Sequence, residues 1–121
     1  MKKSYTDVEQ SKKLAEVLPL RSADMCYVNN GTTIKIDAKP YRIREAMWKD
    51  SVFQIIPCWS LPALFDILAE QRFIIKSLDR NDEYKYLIDV PSKYCKVRHT
   101  SLLDAAFELV YWINKHKDEY D

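Results

Sequence analysis

SLLDAAFELVYWINK, from Ser101 to Lys115, reads as the closing helix of one small core. Ser101 and Asp104 stand at the two positions of a capping box, in which the hydroxyl accepts from the Asp104 backbone N–H and the carboxylate reaches back to the Ser101 N–H. Leu103, Ala106, Phe107, Val110 and Ile113 follow at helical spacing. Leu102, Leu109 and Trp112 widen the stripe, so that burial on more than one side is expected. Lys115, His116 and Lys117 lie where the negative end of the helix dipole favours cations.

Working outward from this helix, two strand-like runs precede it. Phe73 to Leu78 and Glu83 to Val90 flank the polar turn Asp79-Arg80-Asn81-Asp82. In the second run Tyr84, Tyr86, Ile88 and Val90 share one side, which predicts a β-hairpin with one packed face. Ser60 is a good N-cap with Pro62 in the first turn behind it, and Leu61, Leu64, Phe65 and Leu68 form a stripe. Trp59 and Leu64 occupy the positions of a hydrophobic staple around this helix start.

Met25 to Val28 and Thr32 to Asp37 surround Asn29-Asn30-Gly31, which contains the single glycine of the chain. The spacing predicts a first hairpin, because a tight turn there calls for positive φ. Thr6 and Glu9 form a capping-box pattern that opens a helix over Asp7 to Leu18, with Val8, Leu14, Ala15, Val17 and Leu18 facing inward. Ala38 to Cys58 fits no single pattern: Tyr41, Ile43 and Ala46-Met47-Trp48 suit a short helix, whereas Val52 to Ile56 suit a buried strand.

The expected architecture is α+β and two-layer. An antiparallel sheet of about four strands, made by the two hairpins, carries about three helices on one face. With 121 residues, the chain is expected to form a single domain over 1–121. A hydrophobic content of 47% excludes a disordered chain, and no apolar run is long enough to cross a bilayer. Met1-Lys2-Lys3 is followed by polar residues rather than an apolar segment, so the expected location is the cytoplasm of a host cell. Cys26, Cys58 and Cys95 are odd in number and widely spaced, which points to reduced thiols rather than disulfides or a zinc site. Nineteen basic and eighteen acidic residues give a net charge of +1, so attraction to nucleic acid or anionic lipid must come from a local patch.

No catalytic constellation emerges. One glycine rules out glycine-rich phosphate loops, and no HExxH or Walker pattern occurs. Cys58 before a helix start, and Cys95 with His99, are the weak candidates for thiol chemistry. The chain is therefore expected not to be an enzyme and to need no cofactor or metal. Two segments carry binding potential instead. Tyr41, Met47, Trp48 and Phe53 belong to residue types enriched at protein contacts, although they could equally serve as core. Lys93, Tyr94, Lys96 and Arg98 lie in what reads as a loop from Ser92 to His99, and they combine phosphate-binding cations with a ring on which a base could stack. A protein partner is the first expectation, nucleic acid the alternative, and self-association through an exposed strand edge a further option.

QSKKLAEVLPLRSADM from Gln10 to Met25, PCWSLPALFDILAE from Pro57 to Glu70 and SLLDAAFELVYWI from Ser101 to Ile113 together resemble a group of small proteins without assigned activity. That group is encoded in prophages and other mobile elements of Bacteroides-type gut bacteria. Its members share an opening segment ending in Leu-Pro, a Trp-Ser-Leu helix, and a closing Asp-Ala helix with a Trp near its end. Cys58 and Pro62 stand where such relatives carry Ala, and Ala38 to Ser51 has no counterpart. The resemblance implies a phage or mobile-element origin and a host cytoplasm, and it implies no activity.

Overall fold

The three amphipathic stretches fold as helices and the two hairpins form, but the strands divide differently from the expected single sheet. A computed structural model describes residues 4–29, 34–37, 54–79 and 83–116, apart from the side chains of 28–29, 34–37 and 54–55. In chain order the elements are α1 (Val8–Val17), β1 (Met25–Asn29), β2 (Ile34–Asp37), β3 (Gln54–Cys58), α2 (Leu61–Leu68), β4 (Ile74–Ser77), β5 (Tyr86–Val90), β6 (Cys95–His99) and α3 (Leu102–Lys115). Short 3-10 turns follow α1 and β5, at Leu20–Ser22 and Pro91–Lys93. The class is α+β.

In place of one sheet of about four strands, the described strands make two antiparallel sheets of three, ordered β2-β1-β3 and β4-β5-β6. Each hairpin gains a third strand that the sequence reading did not assign. β3 arises from the ambiguous segment and pairs with β1, with Cys26 opposite Pro57. Proline is tolerated there because β3 is an edge strand among the described residues. β6 replaces the expected loop from Ser92 to His99 and pairs with β5, with Ile88 opposite Val97 and Asp89 opposite Lys96. Its residues alternate between half-buried Cys95, Val97 and His99 and exposed Lys96 and Arg98, a period-2 pattern that the two basic residues disguise as a solvated loop.

One hydrophobic cluster gathers the three helices with β5 and β6, and α3 is its centre. Leu103, Ala105, Ala106, Phe107, Leu109, Val110 and Ile113 of α3 are buried against Leu14 and Leu18, Leu64 and Leu68, and Ile88 and Val90. Burial on more than one side of the helix holds as expected, at roughly 1.5–3 kcal/mol for each large aliphatic side chain. Trp112 departs from the expected stripe and remains 39% exposed.

Both expected capping boxes change in detail. α1 is capped by Asp7, not Thr6: Asp7 Oδ1 accepts the Gln10 N–H at 2.8 Å, and Gln10 Oε1 accepts the Asp7 N–H at 3.1 Å. Thr6 is buried instead. On α3 only half of the box forms, with Ser101 Oγ accepting the Asp104 N–H at 3.3 Å. The Asp104 carboxylate accepts Gln10 Nε2 at 2.7 Å and so ties the start of α3 to α1. Inward-facing positions on α1 also shift, because Ser11 is buried and Ala15 is exposed. α2 follows its sequence closely: Ser60 Oγ accepts the Ala63 N–H, and Trp59 and Leu64 are both fully buried in the same cluster.

Candidate functional site

Among the described residues, a sealed polar cluster contrasts with an open groove. The sealed cluster forms where the segment before α1 meets the segment before α2. Thr6 N–H donates to Trp59 O at 2.9 Å, and Leu61 N–H donates to Ser4 O at 3.0 Å. Thr6 Oγ1 accepts the Trp59 N–H at 3.1 Å and shares a hydrogen bond with buried Ser11 Oγ at 2.8 Å. The Cys58 thiol donates to Thr6 O at 3.3 Å, and the Tyr27 hydroxyl donates to the same carbonyl at 2.7 Å. Trp59 Nε1 donates to Ser22 Oγ at 3.0 Å, and Ser60 Oγ donates to Asp24 Oδ2. Among the described residues no buried side-chain nitrogen or oxygen lacks a partner. Desolvation pushes the Cys58 thiol and the Tyr27 phenol above their ordinary values, so neither is poised as a nucleophile or base.

The open groove lies along the outer edge of β6. Tyr94, Cys95, Lys96 and Val97 form one wall, and Phe107, Glu108, Tyr111 and Trp112 of α3 form the other, with Lys13 of α1 at its rim. Its cavity volume is about 580 Å³, within the range of sites that hold ligand groups. Phe107 and Tyr111 stack at 6.0 Å between ring centroids, and Lys115 Nζ sits 5.4 Å over the Tyr111 ring. Trp112 packs on the His116 ring at 4.8 Å. Tyr94 is 97% exposed and takes φ 51°, ψ 37°, the left-handed region. A β-carbon there costs about 1–2 kcal/mol, at the residue that closes the 3-10 turn by donating its N–H to Pro91 O at 3.1 Å.

The residues singled out from the sequence are only partly brought together. Lys96 and Arg98 share the outer face of the β4-β5-β6 sheet, and Tyr94 projects at the start of β6. Lys93 is half-buried on another side, lining a cavity of about 150 Å³ beside Glu70, Gln71 and Asn114. The four are therefore not one loop patch. Tyr41, Met47, Trp48 and Phe53 lie outside the described residues. Cys95 and His99 stand four residues apart on one strand, roughly 13 Å, and do not form a dyad.

His99 lies instead between Asp104 Oδ2 at 4.0 Å and Glu108 Oε1 at 3.9 Å. Its Nδ1 accepts the Ser101 N–H at 3.3 Å, which leaves Nε2 as the protonated nitrogen of the neutral ring, facing Glu108. Burial, and then the neighbouring Asp89 carboxylate, raise the Cys95 thiol above its ordinary value. Among the described residues no group of His, Cys, Asp or Glu could hold a metal ion, and no helix is long and apolar enough to cross a membrane.

Sequence reasoning missed the groove because its walls come from two elements, one of them taken for a loop. Trp112 was a legible signal: it sits just off the best-buried stripe of α3, where a helix turns its flank toward an open edge. Compared with protein-family models, curated proteins and solved structures, the chain matches none.

Proposed function

We propose that this chain is a non-enzymatic interaction module that takes a protein segment in the groove between β6 and α3. The observation that carries this reading is the set of aromatic side chains, Tyr94, Phe107, Tyr111 and Trp112, gathered beside a strand edge that, among the described residues, has a partner on one side only. Aromatic anchors flanking an available edge supply both the apolar contact and the main-chain hydrogen bonds that bind extended peptides. With the resemblance of its three helical stretches, the reading becomes that of an accessory protein of a prophage or mobile element, working in the host cytoplasm on a phage or host protein. Selection of random peptides displayed on phage tests it. Recovered peptides should bind the intact protein and lose at least tenfold in affinity when Trp112 is changed to Ala; selection that returns no Trp112-dependent peptide counts against the groove.

A second reading, a nucleic-acid-binding module, draws on Lys96 and Arg98 exposed on one face beside Tyr94. Titration of labelled single-stranded DNA and RNA by fluorescence anisotropy decides it. Binding that weakens steeply with salt and disappears when Lys96 and Arg98 become Ala supports this reading. An absence of binding at low salt removes it.

A further inference from the structure

We propose that the edge of β6 turned away from β5, which pairs with no strand among the described residues, accepts, as a fourth strand of its sheet, an extended segment of another protein in which acidic and apolar residues alternate. This inference rests on the groove being the interaction site. Successive side chains of an added strand point to opposite faces of the sheet. Those on the inner face meet Cys95, Val97, Phe107, Tyr111 and Trp112, in a lining that also includes the charged Glu108 and Lys13. The inward-facing residues of the occupant are therefore the apolar ones, and its acidic residues face outward. Those on the outer face extend two cross-strand rows, Lys76-Leu87-Arg98 and Ile74-Asp89-Lys96. Among the described residues neither Lys96 nor Arg98 has an ion-pair partner. The new neighbours of these two positions face cations, and opposite charge directly across a strand pair is favourable. With five residues, β6 spans roughly 16 Å, enough to pair a segment of about five residues.

The same rows argue against a second copy of this chain as the occupant. If β6 paired antiparallel with β6 of a second copy about Val97, Lys96 would fall opposite Arg98. Centring the pair on Lys96 or on Arg98 would set identical cations opposite each other. Each arrangement opposes like charges. Edge cations are a common defence against self-pairing, and an acidic strand is the partner that removes the penalty. A nucleic acid would engage the cations and Tyr94, but it would leave the main-chain groups of the edge unused and the aromatic wall unfilled.

The test uses the full chain, labelled with 15N, and a fluorescent eight-residue peptide alternating Glu with Val. Three controls accompany it: a peptide alternating Lys with Val, a peptide of the same Glu and Val content in two blocks, and the first peptide N-methylated at alternate amides in each of the two phases. Strand addition predicts that the alternating acidic peptide binds and shifts the amide resonances of β6 above all others. It also predicts that one phase of N-methylation weakens binding at least tenfold while the other does not. In the double variant Lys96→Glu and Arg98→Glu, both exposed and outside the core, the acidic peptide should lose about tenfold and the Lys peptide should gain. Equal binding of the blocked peptide, indifference to both phases of methylation, or no binding of the acidic peptide overturns the inference. Groove-binding peptides recovered by selection that depend on Trp112 but show no acidic alternation would retain the interaction site and overturn strand addition. Failure of every peptide would overturn both. Saturable binding of single-stranded DNA that is lost in the double variant would assign the two cations to phosphate and overturn it as well. So would a dimer whose β6 amides shift with protein concentration, in favour of a second copy.

Discussion

The junction around Thr6 and the groove beside β6 are both built where separate elements meet, yet they treat their polar and aromatic groups in opposite ways. At the junction, Trp59 is fully buried and its ring N–H is satisfied by Ser22, while Thr6 serves Trp59, Ser11, Cys58 and Tyr27 together. Along the groove, Trp112 and Tyr94 are exposed, and Lys96 and Arg98 lack ion-pair partners among the described residues. Folding free energy is gained where such groups are buried and matched. Binding free energy is available where they are held in place and left open.

The two tryptophans give the largest contrast. Trp59→Ala should destabilise the fold by about 3–5 kcal/mol, through the lost ring and the cavity it leaves. Trp112→Ala should change stability by about 1 kcal/mol or less while removing peptide binding. Urea denaturation of both variants measures the difference, and equal losses would erase the distinction between the two regions.

Next in size is the hydroxyl of Thr6. Thr6→Val keeps the shape but leaves the Trp59 N–H and Ser11 Oγ without this partner, at a cost of about 1–3 kcal/mol. Thr6→Ser should recover most of that loss. If valine proved as stable as threonine, the junction would owe its strength to packing and not to its hydrogen bonds.

The junction should also respond to alkali through two groups, Cys58 and Tyr27, where the groove has the single raised thiol of Cys95. Cys58 and Tyr27 have raised values in the folded protein, with ordinary values of 9.0 and 10.0. Above pH 9 the unfolded chain releases these protons first and so binds fewer than the native state, which makes stability fall as pH rises. Their contribution is complete below the ordinary values and is lost as pH climbs through the raised ones. Thermal denaturation from pH 7 to 11 should therefore show a decline that is shallower in Cys58→Ala and unchanged in Trp112→Ala.

The smallest effect has the opposite sign. Tyr94→Gly relieves the left-handed backbone and should raise stability by about 1 kcal/mol while weakening peptide binding. A gain in stability with undiminished binding would separate Tyr94 from the site.

What the sequence determined by itself is local. The three helices, their N-caps and the two hairpins depend on groups a few residues apart, so apolar spacing, Ser60, Ser101 and the Asn29-Asn30-Gly31 sequence signal sufficed to place them. Even so, the cap of α1 was misplaced by one residue, because Thr6 and Asp7 are both good caps and only burial tells them apart. Tertiary structure alone decided the rest. The strands divide into two sheets because β3 reaches back past β2 to pair with β1, while β6 folds back on its sequence neighbour β5 with its alternation masked by two basic residues, and strand preference depends on the neighbours that a residue packs against. β6 in particular looks solvated until β5 covers one of its edges. The candidate site is then the other edge, where the strand taken for a loop meets the flank of the very helix that the sequence described best.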